Sequence, residues 1–169
     1  LTGLLAQLPL TGLPPRALEV GCGESPAYEA LIVTWPGWFY LGLDYDGAAL
    51  RIARENWMRQ TAQPSGSDPH FIQADARELP GLLRTRFGLI LVRHPDLFRH
   101  RGAWADILCA LPVLLMPGGV LVITLYAPEE VEIVETLALP PEIEISPSAL
   151  PPVDLAGRDR LARAYRLTE

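Results

Sequence analysis

Three acidic side chains stand at or near the ends of short apolar runs: Glu19 in Ala17-Leu18-Glu19-Val20-Gly21-Cys22-Gly23, Asp44 after Leu41-Gly42-Leu43, and Asp75 after Phe71-Ile72-Gln73-Ala74. Gly21 and Gly23 carry no Cβ, so the chain can turn sharply there and bring its amide groups within van der Waals distance of a bound molecule. A strand-ending carboxylate about twenty residues past such a turn commonly accepts hydrogen bonds from both hydroxyls of a ribose. Asp44 fits that role; capping of the next helix falls more naturally to Asp46. Tyr45 could lay its ring on a purine face or be an ordinary half-buried aromatic. A nucleotide-like ligand is the first reading.

A second group of reactive side chains lies in Arg93-His94-Pro95-Asp96, directly after Leu89-Ile90-Leu91-Val92. Histidine titrates at about 6.5, which suits removal of a proton from an oxygen or nitrogen nucleophile at neutral pH. His94 is therefore a candidate catalytic group, and equally a hydrogen-bonded loop residue. Asp96 could orient His94 or cap the next segment. His70 and His100 read as loop residues, and two cysteines, Cys22 and Cys109, supply neither a disulfide framework nor a four-ligand zinc site.

These side chains need a scaffold that brings several strand ends together. Short apolar runs alternating with helical periodicity predict an α/β fold with a parallel sheet and helices on both faces. Strands are expected at 17–20, 39–43, 71–74, 89–92 and 120–125. Asp46 is the expected N-cap of a helix through Ala49, Ile52, Ala53 and Trp57, and residues 64–69 make a loop. The stripe Trp104, Ile107, Leu108, Leu111 and Leu115 predicts a helix kinked at Pro112 and stopped at Met116-Pro117-Gly118-Gly119. Residues 129–135 read as a helix with acids near its positive end. Weaker strands at 143–145 and 162–167 could close the sheet across a loop at 146–159.

With 169 residues the chain is long enough for one compact domain. It carries no apolar run of the roughly 18 to 20 residues that cross a bilayer and no export signal, so a soluble, cytoplasmic protein in a reducing compartment is expected, with no membrane partner. A net charge of −6 argues against a duplex nucleic acid partner. The arginines at 84, 86, 93, 99 and 101 read as solvated residues flanking a strand.

With these residues in place, the chain resembles a class I, Rossmann-like S-adenosylmethionine-dependent methyltransferase from about Arg16 to Leu167. That family's first loop has the form acid-x-glycine-x-glycine, matched by Glu19-Val20-Gly21-Cys22-Gly23; the departure is Ser25, where a third glycine is common. The resemblance implies a doubly wound, mostly parallel seven-stranded sheet with an antiparallel C-terminal edge. It divides the chain into a short N-terminal helix or lid at 1–15 and a single domain at 16–169. It implies S-adenosyl-L-methionine as cofactor, with Asp44 on the ribose and Asp75 and the Ala76 amide on the adenine edge. The expected cofactor contacts are Glu19, Gly21, Cys22, Gly23, Asp44, Tyr45, Asp75, Ala76 and Arg93; His94 and Asp96 are the expected catalytic pair.

The donor's ammonium suits Glu19, which could hold it through water, whereas a carboxylate beside a pyrophosphate would repel it. Pro26 also stands where a dinucleotide turn has its third glycine. A nicotinamide-dependent reductase is accordingly the lesser alternative, behind a domain that binds the donor without turnover. Relatives that methylate amines of nucleobases or glutamine carry an acid or asparagine, two prolines and an aromatic after the fourth strand. Arg93-His94-Pro95-Asp96 keeps one proline of these, so that substrate class does not carry over. The expected reaction is in-line methyl transfer to an unidentified acceptor, a small molecule or a protein in preference to a duplex nucleic acid, with RNA left open.

Overall fold

The computed structural model describes residues 1–60, 68–137, 143–144 and 161–167. Strands occupy Arg16–Val20 (β1), Phe39–Asp44 (β2), His70–Gln73 (β3), Phe87–Arg93 (β4), Leu115–Leu125 (β5), Ile143–Glu144 (β6) and Leu161–Leu167 (β7). They form one sheet in the order β3-β2-β1-β4-β5-β7-β6, with six strands of four residues or more and a two-residue edge, β6. Strands β1 to β5 pair in parallel, and β7 runs antiparallel to both β5 and β6. The strand order reverses between β1 and β4. In open α/β sheets ligands bind at such a point, outside the carboxyl ends of the strands.

A short helix, α1 at Thr2–Leu5, precedes β1, and helices connect the strands that follow: α2 at Tyr28–Thr34, α3 at Gly47–Gln60, α4 at Leu79–Leu82, α5 at Arg101–Ala110 and α6 at Pro128–Thr136. Alternation along the strands divides the core in two. Leu18, Val20, Ile90, Val92, Leu121 and Ile123 face one side, with Ile107 and Leu108 of α5 and Val131 and Val134 of α6. Ala17, Leu89, Leu91, Val120 and Val122 face the other, with Tyr28 and Leu31 of α2. Leu4, Leu5, Leu8 and Leu10 belong to this second cluster, so the N-terminal segment packs on the sheet. No helix among the described residues is long and apolar enough to cross a membrane.

Asp46 caps α3, its Oδ1 accepting from the amides of Ala48 at 2.8 Å and Ala49 at 3.3 Å. The helix before β5 departs from expectation. It ends at Ala110 rather than running to Met116; a 3-10 turn covers Leu111–Leu114 and β5 begins at Leu115. Pro112 has no N–H to donate, so it stops the α-helix where a kink was expected. The Met116-Pro117-Gly118-Gly119 segment then lies within β5, where β4 advances from Phe87 to Leu89 while β5 advances from Leu115 to Val120. A Cβ on Gly119 would stand 2.8 Å from the Met116 carbonyl oxygen and 3.1 Å from that of Phe87, which reserves the position for glycine. The expected loop at 146–159, residue 145 and most of the loop at 64–69 fall outside the described residues.

Candidate functional site

The turn after β1 is tied down at several points. Gly21 and Cys22 donate their amides to the Leu43 carbonyl at 2.8 and 3.0 Å, and Gly23 donates to Asp44 Oδ2 at 2.8 Å. Gly21 and Gly23 have φ values of 71° and 58°, the left-handed region that L side chains rarely adopt. The other Asp44 oxygen accepts from the Asp46 amide at 2.9 Å. Further along, the Ala27 amide reaches back to Glu19 Oε2 at 2.7 Å, and the Tyr40 hydroxyl donates to the same oxygen at 2.5 Å.

Glu19 is fully buried. By strand parity it shares the face of Ala17 and lies beneath the turn. Burial pushes its pKa up, opposed by the Arg93 cation and by the bonds from Tyr40 and Ala27. Burial also raises the Tyr40 hydroxyl, and the neighbouring Glu19 carboxylate raises it further. Arg93, at the end of β4, places Nη1 3.6 Å from Glu19 Oε1 and donates from the same nitrogen to the Ser25 carbonyl at 3.0 Å.

Over the carboxyl ends of β1, β2 and β4 lies a cavity of about 600 Å³. Gly21, Asp44, Tyr45, Asp75, Ala76, Arg93, His94 and Asp96 all line it. Glu19, Cys22 and Gly23 are not part of that lining. The Cys22 thiol is buried, and its pKa is raised by desolvation and by the nearby Glu19 and Asp44. Tyr45 is 81% exposed at the rim.

Asp75 does two things at once. It caps the 3-10 turn Ala76–Glu78, accepting from the Arg77 amide at 2.9 Å, and it lines the cavity. The Arg77 guanidinium also binds it, with Nε 3.0 Å from each carboxylate oxygen and Nη2 on Oδ2. These bonds hold the Asp75 carboxyl at about 2, below the usual carboxylate range.

His94 follows β4 with a φ of 50°, an unusual conformation for a residue with a side chain. Its amide donates to the Thr124 carbonyl at 3.0 Å, and its ring stacks on Tyr126 with centroids 4.0 Å apart. Asp96 takes the capping alternative. Its Oδ1 accepts from the Arg99 amide at 3.1 Å, and Oδ2 lies 4.0 Å from His100 Nε2.

Four residues that the sequence did not assign to the site also border it, among them His100, read as a loop residue, and Trp104, read as part of a core stripe. Arg77, His100 and Trp104 line the cavity, and Tyr126 backs His94. Trp104 sits over the glycine turn, with its Cη2 3.4 Å from the position of a Cβ on Gly21. Its spacing matches the core stripe of α5, so periodicity alone reads it as an interior residue. No cluster of three or more histidine, cysteine or acidic residues suited to a metal occurs among the described residues.

A family model described as a methyltransferase domain matches residues 18–123. Trans-aconitate 2-methyltransferase of Rhodopseudomonas palustris (strain HaA2) is 29% identical over 111 residues, which is 55% of this chain and 43% of that relative. Among solved structures, TrmN from Thermus thermophilus is similar over 96% of this chain and 47% of its own, with a TM-score of 0.65 and 21% identity. The SAM-bound amino pentose methyltransferase of calicheamicin biosynthesis from Micromonospora echinaspora is similar over 76% of this chain and 51% of its own, with a TM-score of 0.58 and 22% identity. At these identities the two structures speak to the fold. The chain spans less than half the length of the curated relative.

Proposed function

Taking as premise that this chain belongs to the methyltransferase domain family, we propose that it transfers a methyl group from S-adenosylmethionine to a nucleophilic acceptor. The observation that carries the reading is the convergence of Gly21, Asp44, Tyr45, Asp75, Ala76 and Arg93 on one cavity of about 600 Å³ at the reversal of strand order. That size falls within the range of small-molecule sites. The donor set also suits an adenosyl group: carboxylates for hydroxyl and amino donors, an aromatic ring for a base face, and a bare glycine turn for close approach.

When bound, S-adenosylmethionine supplies a sulfonium-activated methyl group open to in-line displacement. Asp44 accepts from the ribose hydroxyls, since an ionised carboxylate offers about four acceptor sites and its two bonds to Gly23 and Asp46 leave room. Those same bonds fix its orientation before any ligand arrives. Asp75 and the Ala76 amide read the adenine edge, with Tyr45 over the ring face. Trp104 and Ile107 make the apolar wall that keeps the site partly dry. Positioning of acceptor against donor provides most of the rate enhancement. On the acceptor side His94, held by its stack on Tyr126, takes the proton released from an oxygen or nitrogen acceptor. The net charge of −6 favours a small molecule or a protein over a duplex nucleic acid as the acceptor.

The test is calorimetric titration with S-adenosylmethionine, S-adenosylhomocysteine and NAD, followed by an assay for S-adenosylhomocysteine release with candidate acceptors. Binding of the first two and not NAD is expected. Failure of both adenosyl ligands to bind removes the reading, and binding without release from any acceptor leaves a donor-binding domain.

A further inference from the structure

The Glu19–Arg93 pair runs from the buried face of the sheet to the cavity wall, and its polarity has a chemical consequence. Glu19 is 0% exposed and committed beneath the turn, with one oxygen accepting from Tyr40 at 2.5 Å and Ala27 at 2.7 Å and the other 3.6 Å from Arg93 Nη1. The Arg93 side chain is 20% exposed and lines the cavity, which Glu19 does not. The cation of the pair therefore faces a ligand, and the anion stands behind it.

A methyl donor with an amino acid end presents both an ammonium and a carboxylate. A guanidinium wall attracts the carboxylate and repels the ammonium, and its planar fork matches carboxylate geometry. Of the other cation in the lining, Arg77, both Nε and Nη2 are bonded to Asp75. Resting on the reading of this cavity as the donor site, we propose that Arg93 holds the carboxylate of the donor's amino acid end. Glu19 is its counter-ion, and the Ser25 carbonyl fixes its orientation. This assigns Glu19 a different part from the water-mediated grip on the ammonium expected from the sequence. A buried carboxylate is tolerated beneath the turn because Arg93 compensates it, and the same bonds hold Arg93 at the cavity wall.

Competition binding with three ligands that differ only in the amino acid end tests this: S-adenosylhomocysteine, its decarboxylated amine analogue, and 5′-methylthioadenosine. For the wild-type protein, removal of the carboxylate is expected to weaken binding by about tenfold or more, the scale of a charge-assisted bond. In Glu19→Gln/Arg93→Met, which removes the pair without leaving either charge buried alone, that ratio is expected to fall to about threefold or less, with methylthioadenosine affinity kept. Equal binding of the acid and the amine by the wild-type protein overturns the proposal, a result independent of whether any variant folds. Full discrimination retained by the double variant, with a wild-type circular dichroism spectrum, also overturns it. Absence of binding by all three ligands, methylthioadenosine included, removes the donor site itself and the proposal with it.

Discussion

The carboxylate of Asp44 accepts the Gly23 amide at 2.8 Å, so the residue that would hold the ribose is also a strut of the glycine turn. Its second oxygen accepts from Asp46 at 2.9 Å. Replacement by alanine therefore does more than delete a ligand contact. It leaves two amides to find new partners, and a loss of stability of about 1–3 kcal/mol is expected. Asp44→Asn keeps one carbonyl acceptor and is the better probe of binding. A drop in S-adenosylhomocysteine affinity of about one to two decades is expected, read by calorimetry beside a melting curve. Unchanged affinity removes Asp44 from the site.

Gly21→Ala tests the fit between the turn and α5. The position has a φ of 71° and a Cβ there would stand 3.4 Å from Trp104 Cη2. The left-handed conformation alone imposes about 1–2 kcal/mol on an alanine. A fall in melting temperature of about 2–8 °C is expected for a domain of this size. At 3.4 Å the Trp104 ring is in ordinary van der Waals contact with that Cβ, so the strain belongs to the backbone, and Trp104→Ala in the same background is not expected to restore the melting temperature.

These two sites show what the sequence made legible and what it did not. Glu19, Asp44 and Asp75 could be placed near strand ends because each follows or interrupts a run of apolar residues that only a buried strand explains. Their shared cavity was partly foreseen: Asp44 and Asp75 line it, while Glu19 does not. Strand parity already put Glu19 on the side of Ala17, opposite Leu18 and Val20, but which side would carry α2 depends on how the chain crosses the sheet. The His94–Tyr126 stack was hidden for a similar reason, since it requires the register that pairs Arg93 with Thr124. At Pro112 leucines on both sides satisfied a helix and a strand pattern equally, so the helix end could not be fixed from periodicity.

Acid titration should separate Asp75 from the other carboxylates. Its folded pKa of about 2 lies below the unfolded value of about 3.9. The stabilisation from its bonds to Arg77 is thus fully present above about pH 4 and lost as pH falls toward 2. Arg77→Ala is expected to return the Asp75 carboxyl toward its ordinary value, followed by carboxyl carbon NMR, with little change in stability at pH 7 because the pair is well solvated. An unmoved titration would mean that the turn amide alone holds it down.

Glu19 works with the opposite sign. Burial raises its folded pKa above the unfolded value of about 4.3. Its contribution favours the folded state below that value and is lost as pH rises through the folded pKa. Glu19→Gln is expected to flatten that part of the stability profile, measured by denaturant unfolding from pH 4 to 8. A profile identical to wild type would show that Arg93 and Tyr40 fully offset the burial.

His94 is where backbone strain and proposed chemistry coincide. Its φ of 50° holds the ring against Tyr126 at the cavity wall, a conformation that persists only where surrounding contacts enforce it. His94→Gly relaxes the backbone and removes the ring, whereas His94→Asn tolerates the left-handed region but lacks the imidazole base. If the ring removes a proton from the acceptor, both variants bind S-adenosylhomocysteine like wild type while turnover falls by about two to four decades. If turnover holds and melting temperature moves instead, the stack on Tyr126 is scaffolding, and proton removal is left to solvent or to the acceptor's own ionisation.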